Sequence, residues 1–158
     1  MSTMMSVEET LVVLILGDEA RIIEAVSAGS GWEVWMQVEF VLLCRANGWS
    51  VAREVPYGGG SKFILDFLLS QLQRRYAVEL KVESARNAGK AVLQGFTADV
   101  QKLSSYQADE LVGRYAVGIA YSDEANRSFS TYAAESPGTR GYKRLKCLGV
   151  LIESVPLG

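Results

Sequence analysis

At 158 residues, with 49% hydrophobic and 22% charged side chains, the sequence has the composition of one compact soluble domain. It contains no histidine, which excludes serine–histidine and cysteine–histidine nucleophiles, histidine-ligated metals and HEXXH hydrolases. Two cysteines, Cys44 and Cys147, are too few for a disulfide framework or a zinc site, so we expect small buried hydrophobes.

The net charge of −2 is unevenly distributed along the chain. Residues 1–40 carry seven acids and one base, and the rest carries fifteen bases and eleven acids. Residues 127–146 hold five bases against Glu135 alone, which fits either a basic surface for nucleic acid or a solvated face of scattered charge. The candidate DNA-binding residues are Arg140, Lys143, Arg144 and Lys146.

The first part of the chain has helical patterns. Residues 7–16 and 18–28 suit two short helices with Gly17 at the break and Asp18 as an N-cap. Their apolar side predicts packing into the core or against a second copy in a homodimer. No apolar run approaches the roughly 20 residues needed to span a bilayer, and no secretory signal pattern is present, so we expect a cytoplasmic protein without a membrane segment.

A longer helix is predicted over residues 31–46, and strands follow it. Residues 49–55 alternate apolar and polar side chains, and residues 56–60 form a flexible turn. Two further strand candidates, 63–69 and 76–82, should pair as an antiparallel hairpin.

The second part of the chain predicts a helix over residues 87–106 and a strand over 115–121. An irregular or partly helical insertion over 127–143 and a last strand over 145–155 follow. We therefore expect an α/β fold in one domain over 1–158. It has an N-terminal helical extension over 1–30, an αβββαβ core with a mixed, helix-flanked sheet over 31–121, and a variable part over 122–158.

Ionisable side chains concentrate on the predicted hairpin. Glu79 and Lys81 point to the same face of their strand, because side chains alternate along a strand. Asp66 stands in an otherwise apolar strand and should lie roughly opposite Glu79. A buried unpaired charge costs several kcal/mol, so a partner or a metal is expected there. The alternative is an ordinary charge pattern on the wet face of a sheet.

The helix over residues 31–46 offers one more carboxylate. Glu39 falls on an apolar stripe with Trp32 and Trp35, so we expect it to face inward, toward Asp66 and Glu79. The alternative is a structural acid that caps or pairs locally.

Carboxylates in this number suit Mg²⁺ or Mn²⁺, which prefer hard oxygen ligands. Asp66 and Glu79 are the predicted metal ligands, with the backbone carbonyl of Leu80 as a further candidate and Glu39 as a ligand or outer acceptor. Lys81 would orient the water that attacks a scissile phosphate, or it would stabilise the negative oxygens of the pentavalent phosphorus species that forms.

These residues resemble a known nuclease motif. The motif residues here are Glu39, Leu65-Asp66 and Glu79-Leu80-Lys81. They resemble the PD-(D/E)XK superfamily of restriction enzymes, junction resolvases and repair nucleases, with Leu65 in place of the motif's proline, and residues 39–81 are most similar to archaeal-type junction resolvases. The resemblance implies an αβββαβ restriction-endonuclease-like core over about residues 31–121 and Mg²⁺-dependent cleavage of DNA, with Mn²⁺ as a substitute.

The resemblance also bears on the helix over residues 87–106. Some members of the superfamily place a polar residue there that reaches the site, which makes Gln94 a catalytic candidate against a solvated helix face. The tyrosine that follows four residues later in the RecB-like pattern is Ala98 here. Asp99 and Lys102 are expected to form an ion pair on the helix surface.

Two classes of function therefore fit the sequence. One is a metal-dependent nuclease acting on DNA. The other is a protein of the same fold with weak or no activity, acting as a protein- or DNA-binding regulatory module. Convergence of Glu39, Asp66 and Glu79 on a divalent ion would favour the first.

Overall fold

The computed structural model describes residues 3–158, which form five helices and a six-stranded mixed sheet. The elements in chain order are α1 (Val7–Gly17), α2 (Glu19–Ser27), α3 (Trp32–Ala46), β1 (Ser50–Pro56), β2 (Ile64–Gln71), β3 (Arg74–Val82), α4 (Ala91–Leu103), β4 (Leu111–Ala120), α5 (Asp123–Ala134), β5 (Arg140–Leu145) and β6 (Leu148–Ser154). None of these helices has the length and apolarity needed to cross a membrane.

The sheet has the strand order β1-β2-β3-β4-β6-β5. Only β3 and β4 are parallel, and α4 forms the crossover that a parallel connection requires. The run from α3 to β4 has the order αβββαβ, so the α/β class with a mixed, helix-flanked sheet is confirmed.

Helices cover both faces of the sheet and close two apolar cores. The first core lies under α1, α2 and α3 and includes the buried side chains of Trp32, Cys44 and Trp49. The second lies under α4 and α5 and is built around Phe96 and Phe129, whose ring centroids are 6.2 Å apart. Glu79 and Lys81 alternate with first-core residues along β3, which directs them toward α4.

The hairpin of β2 and β3 has the predicted pairing. Phe67 lies opposite Val78 in an antiparallel ladder, and continuing this register places Asp66 opposite Glu79. A two-residue turn with positive φ at Leu72 and Gln73 (50° and 62°) connects the strands, which matches the right-handed twist of a hairpin.

The predictions for the C-terminal part are incomplete. The insertion predicted as irregular or partly helical contains the regular helix α5, which begins at a Ser122 N-cap whose Oγ accepts a hydrogen bond from Ala125 N. The predicted last strand is present as β6, but it is preceded by β5, which was not predicted. The two strands form a hairpin, and Lys146 takes a positive φ of 55° at its turn. Both strands extend the sheet beyond β4.

A buried glutamate joins the end of β3 to the start of α5. Glu83 is 1% exposed, and its carboxyl accepts hydrogen bonds from Tyr121 N and Ser122 N at 2.8 Å and from Gly89 N at 3.0 Å. The Ser122 hydroxyl donates a fourth bond to it. This carboxyl therefore fixes the strand segment that carries Glu79.

Removal of that carboxyl should destabilise the fold. We expect Glu83→Ala to lower the free energy of unfolding by about 3 kcal/mol, because several buried backbone donors lose their acceptor. Urea denaturation followed by circular dichroism measures the loss. Glu24→Ala, which truncates an exposed glutamate on α2, should change stability by less than about 0.5 kcal/mol. Equal effects of the two substitutions would contradict the structural role of Glu83.

Candidate functional site

Strand pairing around Asp66 is interrupted on both sides of β2. In the β1–β2 ladder, Arg53 pairs with Phe67 and Val55 pairs with Leu65, but Glu54 and Asp66, which lie between these pairs, are not paired. Glu54 has a φ of +53° in the middle of β1. Such backbone strain in a non-glycine residue is most frequent near functional sites.

On the other side, the β2–β3 ladder ends at Phe67 and Val78, before it reaches Asp66. The Asp66 carboxylate takes over the role of a strand partner, because its Oδ2 accepts a hydrogen bond from Leu80 N at 2.8 Å. The two strands therefore separate at the position where Asp66 and Glu79 meet.

A polar pocket of about 160 Å³ opens at this separation, between α3, β3 and α4. Its lining comprises Glu33, Gln37, Asp66, Glu79, Leu80, Lys81, Val82, Asn87, Asp99 and Lys102. The pocket thus brings together Asp66, Glu79 and Lys81, as the sequence predicts, and adds an acid and a base from α4.

Glu79 is the most deeply buried acid of this pocket, with 1% of its side chain exposed. Its Oε1 lies 2.9 Å from Lys102 Nζ and accepts a hydrogen bond of 3.2 Å from the Tyr57 hydroxyl. Burial, reinforced by the neighbouring carboxylate of Asp66, raises the pKa of Glu79 to about 8, although Lys102 acts in the opposite direction. The proximity of Asp66 and the loss of hydration therefore disfavour the ionised form of Glu79.

Lys81 is held on the other side of the pocket by α4. Its Nζ lies 3.6 Å from Asp99 Oδ2, and burial raises the pKa of Asp99. Gly95 leaves room for the lysine stem, because a Cβ at that position would lie 3.0 Å from Lys81 Cδ. One turn of helix thus positions both the stem and the ammonium group of Lys81.

Glu39 is not brought to this pocket, so the expectation that it faces Asp66 and Glu79 is corrected. It is buried on the apolar stripe of α3, but α2 packs there, and Glu39 Oε2 accepts a hydrogen bond of 2.7 Å from Arg21 Nε. The hydrogen bond from Arg21 lowers the pKa of Glu39. Asp18 interacts with Glu39, and its own burial raises the pKa of Asp18 to about 6.

The flank of α3 that reaches the pocket instead presents Glu33 and Gln37. Asp18 occupies the predicted N-cap position of α2 but makes no side-chain capping bond. The prediction that Glu39 is buried is confirmed, but which side of α3 faces the pocket depends on the packing of α2.

On α4, Gln94 is exposed and does not line the pocket, whereas Asp99 and Lys102 do. The two form the expected ion pair, with 3.9 Å between Lys102 Nζ and Asp99 Oδ1, but they face the site rather than bulk solvent. Asp99 lies three residues after Phe96 and four before Leu103, so it falls on the same buried face of α4. An acid on this otherwise apolar face is the sequence signal that could have identified Asp99 as a site residue.

The basic segment near the C-terminus is largely neutralised by acids. Arg140 Nε lies 3.1 Å from Glu153 Oε1, and the Arg140 guanidinium is stacked 3.7 Å from the centre of the Tyr132 ring. Further pairs of this segment are Arg140 with Glu135 at 3.7 Å, Arg144 with Asp123 at 2.7 Å and Lys146 with Glu19 at 3.7 Å. Of the four candidate DNA-binding residues, Lys143 alone is exposed without an ion pair among residues 3–158.

Larger depressions exist on the surface, and the one of about 410 Å³ beside Trp32 and Trp35 has Arg21 and Glu24 as its charged lining residues. No three Asp, Glu, Cys or His side chains within residues 3–158 are arranged to hold a metal ion. The donor set that does fit a hard divalent ion is the close carboxylate pair of Asp66 and Glu79, whose mutual repulsion a cation would relieve.

Comparison of the chain with known protein families, with curated proteins and with solved structures finds no match.

Proposed function

We propose that the protein is a Mg²⁺-dependent nuclease of the PD-(D/E)XK type that hydrolyses DNA phosphodiester bonds. The observation that carries this proposal is the convergence of Asp66, Glu79 and Lys81 in one polar pocket where β2 and β3 separate. The spacing of these residues in the sequence and the αβββαβ order of the core support the same assignment.

In this proposal, Asp66 and Glu79 hold the ion together with the backbone carbonyl of Leu80 and water. Mn²⁺ is expected to substitute for Mg²⁺, since both accept hard oxygen ligands. When bound, the ion lowers the pKa of a water molecule and offsets negative charge on the scissile phosphate. The hydrogen bond from Leu80 N fixes the orientation of the Asp66 carboxylate for this role.

Lys81 supplies the positive charge on the reacting side of the pocket. Its ammonium projects from the same face of β3 as Glu79 and is 30% exposed at the side chain, so it is accessible to a substrate. We assign to it a hydrogen bond to the attacking water or to a phosphate oxygen, where negative charge develops in the transition state. Asp99 keeps the ammonium in position and is a positioning residue.

The direct test is DNA cleavage by purified variants. Supercoiled, linear, single-stranded and branched DNA are incubated with Mg²⁺ or Mn²⁺ and with EDTA as a control. Asp66→Asn and Lys81→Met should each lower the cleavage rate by at least about 100-fold, since each removes a transition-state contact. Glu39→Gln is the matched control, because Glu39 lies outside the pocket, and should retain cleavage within about threefold.

Cleavage that survives Asp66→Asn would contradict the proposed site, and so would absence of metal-dependent cleavage on every substrate. The preferred DNA form would also define the substrate more narrowly. Strong loss of activity in Glu39→Gln with an intact fold would restore Glu39 to the site.

Three exposed basic residues lie near the pocket, and we call them the basic rim: Arg53, Lys62 and Arg86. We propose that the DNA backbone passes along this rim to reach the pocket. Arg53 donates a hydrogen bond to the pocket residue Gln37 at 3.0 Å, and Lys62 precedes Phe63, whose ring lies 5.9 Å from Lys102 Nζ.

Arg86 precedes Asn87, which also lines the pocket. Within residues 3–158, no base of the rim forms an ion pair, whereas Arg140, Arg144 and Lys146 of the basic segment near the C-terminus are paired with acids. Unpaired cations can release counterions and contact phosphates, so we assign DNA contacts to the basic rim.

The basic rim can be tested by the salt dependence of DNA binding. Arg53→Gln should weaken binding and reduce the slope of log K against log salt by about one, the contribution of one phosphate contact. Fluorescence anisotropy in Ca²⁺ measures this. Arg74→Gln is the matched control, since Arg74 is exposed but lies about 23 Å along β3 from Lys81 at roughly 3.3 Å per residue. Equal changes in both slopes would contradict a localised contact at the rim.

A second candidate function is a binding or regulatory module of the same fold without nuclease activity. It is favoured by the absence, in the part of the chain that the structure describes, of a third acid arranged to hold a metal ion together with Asp66 and Glu79. This candidate predicts DNA or protein binding with no metal-dependent cleavage on any substrate tested above.

A further inference from the structure

The ammonium of Lys102 lies at the place where a cation is needed in this pocket. Its Nζ is 2.9 Å from Glu79 Oε1 and 3.9 Å from Asp99 Oδ1. Glu79 is almost fully buried and is also close to Asp66, so without Lys102 its carboxylate would lack a counterion. Lys102 thus carries the positive charge that stabilises the carboxylate in the metal-free protein.

We propose that Lys102 is the internal counterion of Glu79 and that a divalent ion displaces it when the site is loaded. The inference rests on the proposed function, because it takes Glu79 as a metal ligand. An ammonium and a divalent ion cannot share the same carboxylate oxygens without strong repulsion at these distances. Lys102 therefore competes with the metal and acts as a positioning residue for Glu79.

The Lys102 ammonium also lies within range of two aromatic rings. Its Nζ is 6.0 Å from the ring centre of Tyr57 and 5.9 Å from that of Phe63, and its side chain keeps 21% exposure. Cation–π attraction to these rings does not depend on the bond to Glu79, so it can hold the side chain nearby after a divalent ion has taken the carboxylate.

Lys81 differs from Lys102 in this respect. It forms an ion pair with Asp99 at 3.6 Å and none with Glu79. Loss of Lys81 should therefore change the electrostatic potential of the pocket without opening the position beside Glu79. The two lysines provide an internal comparison between a general effect of charge and a specific competition for one carboxylate.

The test is calorimetric titration of Mg²⁺ into wild type and Lys102→Met, which removes the charge and keeps an apolar stem of similar length. Titrations are run over a range of alkaline pH, because metal binding requires the ionised carboxylate of Glu79 and the two proteins must be compared where the apparent affinity no longer changes with pH. Lys102→Met is expected to bind Mg²⁺ about tenfold more tightly. Lys81→Met should give a smaller gain, and the exposed-site control Lys90→Met, at the opposite end of α4 from Lys102, should stay within about twofold of wild type.

Thermal unfolding provides a readout that is independent of affinity. In EDTA and at the same alkaline pH, where Glu79 is ionised, Lys102→Met should melt at a lower temperature than wild type, because Glu79 loses its counterion. Saturating Mg²⁺ should raise its melting temperature by more than it raises that of wild type. A Lys102→Met protein that stays unfolded at saturating Mg²⁺, or that binds Mg²⁺ no more tightly than wild type, would overturn the inference.

The result also separates this inference from the proposed function. If wild type shows no Mg²⁺ binding, or binding that survives Asp66→Asn, the metal site itself fails and the competition fails with it. If wild type binds Mg²⁺ through Asp66 but Lys102→Met gains no affinity, the metal site stands and only the competition by Lys102 is wrong.

Discussion

The position of the buried Glu79 beside the half-buried Asp66 is the constraint on which the rest of this structure depends. Two carboxylates in a small pocket repel each other and lose hydration, which is why the pKa of Glu79 rises to about 8. The chain offsets this cost with a backbone hydrogen bond from Leu80 to Asp66 and with the Lys102 ammonium and the Tyr57 hydroxyl on Glu79. Each of these donors comes from a different part of the core.

Several elements of the fold hold these donors in place. The β2–β3 ladder stops before Asp66, so the carboxylate can replace a strand as the partner of Leu80 N. Helix α4 crosses the same face of the sheet and brings Lys102 to the pocket, while Glu83 ties the end of β3 to the start of α5. A change in any of these elements would therefore alter the electrostatics of the pocket as well as the stability of the fold.

Patterns within single elements were sufficient to predict much of this arrangement. Alternation along β3, and one acid in an otherwise apolar β2, were enough to place Glu79 and Asp66 in one patch. The position of Glu39 could not be predicted, because its stripe on α3 is covered by α2 and its partner Arg21 lies 18 residues earlier. The role of Lys102 was missed for the same reason, since its contact with Glu79 exists only after α4 has packed on the sheet.

The central claim is that Asp66 and Glu79 together bind a divalent ion. The most direct measurement is the anomalous diffraction of crystals grown with Mn²⁺, because anomalous scattering locates the metal independently of the protein atoms. The account predicts one strong anomalous peak between the two carboxylates, with oxygen ligands at roughly 2.0–2.3 Å. A peak elsewhere, or no peak at saturating Mn²⁺ with the pair still held by Lys102, would contradict it.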